Sequence, residues 1–396
     1  MRRLEVLDGM RGYFLVFMLL NHLTFTGGYL LVKFNHAELG FVQDAQGFVF
    51  LSGLLAGMVY GKRMLKGGFP VGAIAVWRRT AEIYAYALGC ILLILVLRGL
   101  LPDAGPAWEA WLGELGEGRV AHRLAAALLL YQPTFLDILP QYIAYMLVAP
   151  PLIWLCLSGR WVSVAVGSGL LWFAVQLGLH LPMADAINAA LSDLGPDLVM
   201  RVPFNVLGWQ VIFVSGLVIG ALVAKGDLDT RRTFSPDQTI FLKFALALLG
   251  FFLLWRVGYS LEIVPREVMQ RFRTYENRPE FGPIFLVNFA ALGYAVAWLM
   301  IAGPNSSNAL ARRVGGLLDR LFRLRYLQLV GRHSLQIYAW HVIIVYLVLY
   351  LDHHAKPLGE ASKTLIAITA IGLLSLPALW IERRRRLREA PLAGTA

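Results

Sequence analysis

The chain has 396 residues, of which 58% are hydrophobic and only 15% charged, against roughly 25% charged in an ordinary soluble domain. Apolar runs of about 18 or more residues recur, each long enough to cross a hydrocarbon layer of about 30 Å, which argues against a soluble enzyme and for a polytopic membrane protein. The net charge of +11 comes with no RNP, zinc-finger or helix-turn-helix pattern, so nucleic acid is not an expected partner.

In chain order the apolar runs predict ten transmembrane helices in one all-α bundle: about 10 to 32, 42 to 61, 77 to 101, 139 to 157, 161 to 181, 205 to 224, 239 to 257, 282 to 302, 334 to 351 and 363 to 381. The first lacks an A-x-A-like cleavage site and carries Arg11, Asn21 and His22, so it is read as a retained helix and not a signal peptide. The shorter run 124–131 stops at Pro133; it predicts an extra re-entrant or interfacial helix near 121–135. No repeat is visible, so residues 1–382 are expected to form a single transmembrane domain, followed by a basic cytoplasmic tail at 383–396.

Orientation follows from the basic residues, which concentrate on the cytoplasmic side of a membrane protein. With a cytoplasmic amino terminus, the cytoplasmic segments hold 22 Lys and Arg and the external ones 12. Both termini are therefore expected in the cytoplasm. An eleventh full span at 121–135 would put the Arg383–Arg386 run outside, against the same rule. The cysteines, Cys90 and Cys156, lie inside apolar spans, so neither a disulfide framework nor a metal site is expected.

Ionisable groups inside spans cost several kcal/mol and are functional candidates by default. Arg11 and His22 are eleven residues apart, which at about 100° per residue puts them within roughly 20° of one helix face and about 16 Å apart along the axis. Each alone has a plainer reading, Arg11 as an arginine snorkelling to phosphates and His22 as a histidine bonded to a neighbouring helix. Together they form a polar lane from the cytoplasmic surface toward the membrane centre, with Asn21 beside His22. His341 is a second mid-span histidine, with Arg332 and His333 at the cytoplasmic start of its helix. It is either a packing hydrogen bond or a wall of the same cavity. Asp44, Asp137 and Gln141 fall near external span ends and abut apolar sequence; a carboxylate there could orient His22 or a sugar hydroxyl. The string HLPMAD (180–185) matches a soluble-face acyltransferase pattern but contains a proline and lies at an external span end, which favours chance. There is no Walker A, G-x-S-x-G or H-E-x-x-H motif.

The segments RLEVLDGMRGYFLVFMLLNHL (3–23), GFVFLSGLLAGMVYGKRM (47–64), LDILPQYIAYMLVAPPLIWL (136–155) and GRHSLQIYAWH (331–341) resemble the OpgC proteins. These are membrane succinyltransferases for osmoregulated periplasmic glucans, within the acyltransferase-3 membrane proteins. Arg11 and His22 match that superfamily's R-x10-H motif, and FLSG (50–53) its second-helix motif. The resemblance implies a multi-pass protein of the bacterial inner membrane that transfers an acyl group, expected to be succinyl, from cytosolic acyl-CoA to a hydroxyl of a periplasmic glucan. It implies His22 as the catalytic base and Arg11 as a donor contact, with acyl-CoA a co-substrate and no bound cofactor.

Position and chemistry extend the candidate site. Asp44 and Asp137 join His22 as catalytic candidates; Arg332, His333 and His341 join Arg11 on the donor side. Asn21, Ser52, Gln141 and Asn205 are candidates for oxyanion or acceptor contacts. A pantetheine arm entering from the basic side need reach only about 15 Å, half the bilayer, to bring its thioester to His22. Direct transfer and an acyl-imidazole intermediate both remain open. So do a transporter or flippase for an anionic or sugar substrate and a membrane O-acyltransferase centred on His341. Glucan, acyl-CoA and membrane lipid are the expected partners.

Overall fold

The fold is that of a computed structural model, which describes residues 2–195, 197–355 and 357–389. Among these residues every regular element is a helix and no strand forms. The helices begin with α1 (Arg2–His22), α2 (Asp44–Leu100), α3 (Ala104–Leu112), α4 (Val120–Ala127), α5 (Ile138–Leu157) and α6 (Trp161–Gln176). They continue with α7 (Leu181–Leu194), α8 (Val206–Lys225), α9 (Thr230–Thr233), α10 (Ile240–Ser260), α11 (Arg266–Tyr275) and α12 (Pro283–Ile301). The last five are α13 (Ala309–Phe322), α14 (Arg325–Arg332), α15 (Ser334–His354), α16 (Glu360–Leu374) and α17 (Leu376–Glu389). Among the described residues seven helices are long and apolar enough to cross a membrane, α16 and α17 acting as one, or eight if the bent pair α6–α7 is one span. The protein is thus a multi-pass helical membrane protein.

Several boundaries differ from the sequence expectation. The first helix starts earlier and stops at His22, and it cannot run on to 32 because Gly27 and Gly28 adopt φ of +79° and +71°, a left-handed backbone that glycine tolerates and a helix does not. The loop expected between 61 and 77 is helical, and α2 runs for 57 residues with one break at Gly68 (φ +80°) ahead of Pro70. Unbroken it would be about 85 Å long, nearly three hydrocarbon thicknesses. The expected 161–181 span ends at Gln176, and after Gly178 (φ +74°) α7 leaves at 69°. Near 121–135 only the eight residues of α4 are helical, about 12 Å and too short to span. Arg383 to Arg388 continue α17 as helix; residues 390–396 of the expected tail lie outside the described residues.

The described chain divides into two compact units. The first comprises residues 1–34, 92–108 and 319–396. Here α1 lies directly on α14 because glycines remove the side chains between them. A Cβ on Gly12 would fall 1.9 Å from the Leu327 carbonyl oxygen, and one on Gly331 1.7 Å from that of Asp8. Leu15, Met18 and Leu19 fill the buried face of α1, and the Trp340 indole of α15 donates to Leu373 O of α16 at 3.0 Å.

The second unit comprises residues 35–91 and 109–318. Its centre is a crossing of α2 and α8 through two glycine pairs at four-residue spacing. Gly53 and Gly57 meet the carbonyls of Phe213 and Leu217, and Gly216 and Gly220 those of Phe50 and Leu54, each within 2.2 Å of a built Cβ. Small residues at such spacing let membrane helices approach backbone to backbone. Ser168 and Gln210 exchange hydrogen bonds between α6 and α8, and Trp172, Gln176 and Trp209 grip the carbonyls of the 278–281 loop.

Candidate active site

The first unit assembles the histidines. His22 is the last residue of α1, and His341 lies two turns into α15, fully buried. Their facing ring nitrogens, His22 Nδ1 and His341 Nε2, are 3.1 Å apart. The other nitrogen of His341, Nδ1, faces the Tyr338 carbonyl oxygen one turn back. A carbonyl only accepts, so Nδ1 of His341 carries the hydrogen. With both rings neutral, His341 Nε2 is then the acceptor, His22 Nδ1–H donates to it, and the lone pair of His22 falls on Nε2. His22 Nδ1 is engaged by His341.

Midway along α1, on the same face as His22, Arg11 Nη2 donates to Ser334 Oγ at the start of α15. Arg332 and His333 lie on the chain entering α15, and both meet Glu382 of α17, at 3.1 and 3.6 Å. Asp8, one turn before Arg11 in α1, lies near Arg11, Arg332 and His333. Sequence reasoning named the cations and missed Asp8 and Glu382. Asp8 was within reach, three residues before Arg11 on one helix face. Glu382 was not, because α17 meets the head of α15 only in the folded chain. Asn21 is exposed in the last turn of α1.

The remaining candidates belong to the second unit. Asp44 opens α2 and is buried, 3.5 Å from His36 Nε2. Burial pushes the His36 imidazole down to about 4, so at neutral pH this contact is not an ion pair. Asp137 precedes α5. A little of its surface remains exposed, yet desolvation dominates and pushes its carboxyl up to about 6, against the pull of Arg278, Arg201 and backbone N–H groups. Arg278 faces both Asp137 and Asp44 and is a member of this cluster that the sequence reading did not single out. Gln141 is buried one turn beyond Asp137, close to the Tyr145 hydroxyl but without a well-aligned hydrogen bond. Ser52 and Asn205 have structural partners. The Ser52 hydroxyl donates to Phe48 O at 2.8 Å. The Asn205 side-chain oxygen caps α8 by accepting from Leu207 N and Gly208 N, an N-cap that an asparagine ahead of an apolar run signals. Among the described residues no group of three or more His, Cys, Asp or Glu could hold a metal ion.

These features define a multi-pass helical membrane protein in which a half-buried histidine at the end of a helix, on the same face as an arginine, meets a buried one. The chain belongs to the OpgC protein family, whose model matches residues 2–386. No curated protein and no solved structure matches it. Membership points to a transferase that modifies glucan.

Proposed function

We propose that the protein is a transmembrane O-acyltransferase of the bacterial inner membrane. It passes an acyl group, succinyl, from cytosolic acyl-CoA to hydroxyls of a periplasmic glucan, with His22 as general base. The observation that carries this reading is the His22–His341 contact at 3.1 Å, with the tautomer it implies. A neutral imidazole oriented by a second group through one nitrogen and basic at the other is the arrangement that deprotonates a hydroxyl nucleophile.

In the proposed reaction the glucan hydroxyl oxygen attacks the thioester carbon as its proton passes to His22 Nε2. The tetrahedral intermediate then collapses, the carbon–sulfur bond breaks, and the departing CoA thiolate recovers that proton. Between the two steps His22 is an imidazolium in the last turn of α1, where the helix dipole favours a cation by about 0.3–1 kcal/mol. Arg11, Arg332 and His333 are the proposed contacts for the donor's phosphates.

Ten crossings remain our reading of the topology. Counting α1, both arms of α2, the α6–α7 pair and the α16–α17 pair as one crossing each, with α5, α8, α10, α12 and α15, supports that number. The excess of basic residues on one side, 22 against 12, supports cytoplasmic termini. The whole of 1–382 is proposed to act as one acyltransferase domain.

The test is transfer from succinyl-CoA to a glucan oligosaccharide by the purified protein in proteoliposomes, read as CoA release and as mass gain on the glucan. Wild type is expected to do both, and His22→Ala to do neither while remaining folded. Unchanged acylation by His22→Ala would overturn the assignment, and glucan movement across the bilayer without CoA release would mark a transporter.

A further inference from the structure

We propose that Asp352 and Lys363 are positioning residues for His22, acting by clamping the backbone of Thr26 at its N–H and at its C=O. This rests on the reading of His22 as the base. Both are charged, both lie on apolar helices of the first unit, and both are buried, at 2% and 7% exposure. Both stand at the ends of their helices, where burying a charge is costly unless it is paired and hydrogen-bonded, and no step of the proposed reaction uses either.

The need for a clamp follows from where α1 stops. The last four carbonyls of a helix have no partner within it, and His22 is the final residue of α1. Three of those carbonyls are taken by the loop that follows. Leu23 N donates to Leu19 O at 3.0 Å, the Tyr29 hydroxyl to Leu20 O, and the Thr24 hydroxyl to His22 O at 3.2 Å. The end of the helix is therefore as well fixed as the loop 23–30. That loop has little rigidity of its own: Gly27 and Gly28 are consecutive left-handed glycines, and a Cβ on Gly28 would meet nothing within 4 Å.

Its anchors come from α15 and α16. Asp352 Oδ2 accepts from Thr26 N at 3.0 Å and from the Thr26 hydroxyl at 2.8 Å. Lys363 Nζ donates to Thr26 O and to Gly28 O, both at 2.7 Å. Glu360 accepts from Leu30 N just beyond. Thr26 thus has its N–H held by an anion and its C=O by a cation, so the dipole of one residue separates and satisfies two opposite charges. Hydrogen bonds to charged groups are roughly twice as strong as neutral ones. The ammonium, with three donors on one atom, serves both carbonyls at once. Asp352 also lies on the helix that carries His341, eleven residues along. One rigid rod therefore holds both the ring facing His22 and the loop behind it.

The test measures kcat and donor KM for Lys363→Met, Lys363→Arg, Asp352→Asn and the milder Thr26→Val in the proteoliposome assay, beside His22→Ala. Misplacement of a catalytic group by about 1 Å costs up to about 100-fold. The expected result is a kcat reduced about 10- to 100-fold in Lys363→Met and Asp352→Asn, with donor KM within about twofold of wild type. Lys363→Arg should recover part of the loss, and Thr26→Val should lose about 3- to 10-fold. Folded clamp variants with wild-type kcat, while His22→Ala is inactive, would overturn the proposal and leave the His22 reading standing. Activity retained by His22→Ala would remove both. If the clamp variants fail to fold, Thr26→Val decides: wild-type kcat in that variant overturns the proposal.

Discussion

His22 Nδ1 lies 3.1 Å from His341 Nε2, and His341 Nδ1 is turned onto the Tyr338 carbonyl. That chain of contacts decides which nitrogen of His22 can receive a proton. On the proposed reading His341 orients His22 as a carboxylate orients the histidine of the Ser-His-Asp arrangement. The two histidines should therefore fail differently. His22→Ala is expected to lower kcat by about 10²- to 10⁴-fold, the usual contribution of a general base. His341→Ala should lower it by about 10- to 100-fold and leave donor KM unchanged, because the base remains but its tautomer and ring orientation are no longer set. Steady-state kinetics of the two purified variants separate these outcomes.

Glu382 contacts Arg332 and His333, two of the side chains proposed to meet the donor's phosphates. A carboxylate and a phosphate cannot both have them. Glu382→Gln is expected to lower the KM for acyl-CoA about 2- to 5-fold, and Arg332→Ala to raise it by a similar factor; exposed ion pairs are worth only about 0.2–1 kcal/mol. Both effects should shrink as salt rises from 50 to about 300 mM. Donor titrations at two ionic strengths read them directly.

The packing of α1 on α14 leaves no room for a methyl group. Gly12→Ala or Gly331→Ala would drive a Cβ into a backbone carbonyl, at 1.9 and 1.7 Å, and neither partner can rotate away. A loss of at least about 1–3 kcal/mol is expected. It should be seen as a lowered Tm in detergent and as a larger fall in activity than Gly316→Ala, where a Cβ would meet nothing within 4 Å.

Asp137 makes stability depend on pH in the direction opposite to most carboxylates. Its folded pKa of about 6 lies above the ordinary 3.8, so the folded state binds the proton more tightly than the unfolded one. The contribution is fully present below about pH 4 and is lost as pH rises through 6. Asp137→Asn, a neutral isostere, is expected to stabilise the protein by about 1–3 kcal/mol at pH 7.5, with the difference shrinking as pH falls toward 4 and vanishing below the unfolded pKa. Thermal melts of both proteins across that range check the sign.

What could be read from the sequence is what depends on local spacing. The membrane class follows from run length and the low charged fraction. The shared face of Arg11 and His22 follows from the helical repeat alone. Basic-residue counts supply an orientation for the chain before any coordinate. The helix cap at Asn205 is also legible, from an asparagine placed just ahead of an apolar run.

Other features are set by contacts between residues hundreds of positions apart. The spacing that aligns Arg11 with His22 says nothing about where the helix ends; two left-handed glycines keep it from running on to 32, and a clamp from α15 and α16 holds the loop that follows His22. Nor could spacing show that His22 faces His341, 319 residues later, or that Glu382 returns to Arg332. Hydropathy records how far a segment prefers lipid to water, but it carries no information on which faces of two helices meet. In this chain that choice rests on bare glycine surfaces and a few buried hydrogen bonds, and it is the tertiary structure that brings a lone mid-span histidine and its partner into one site.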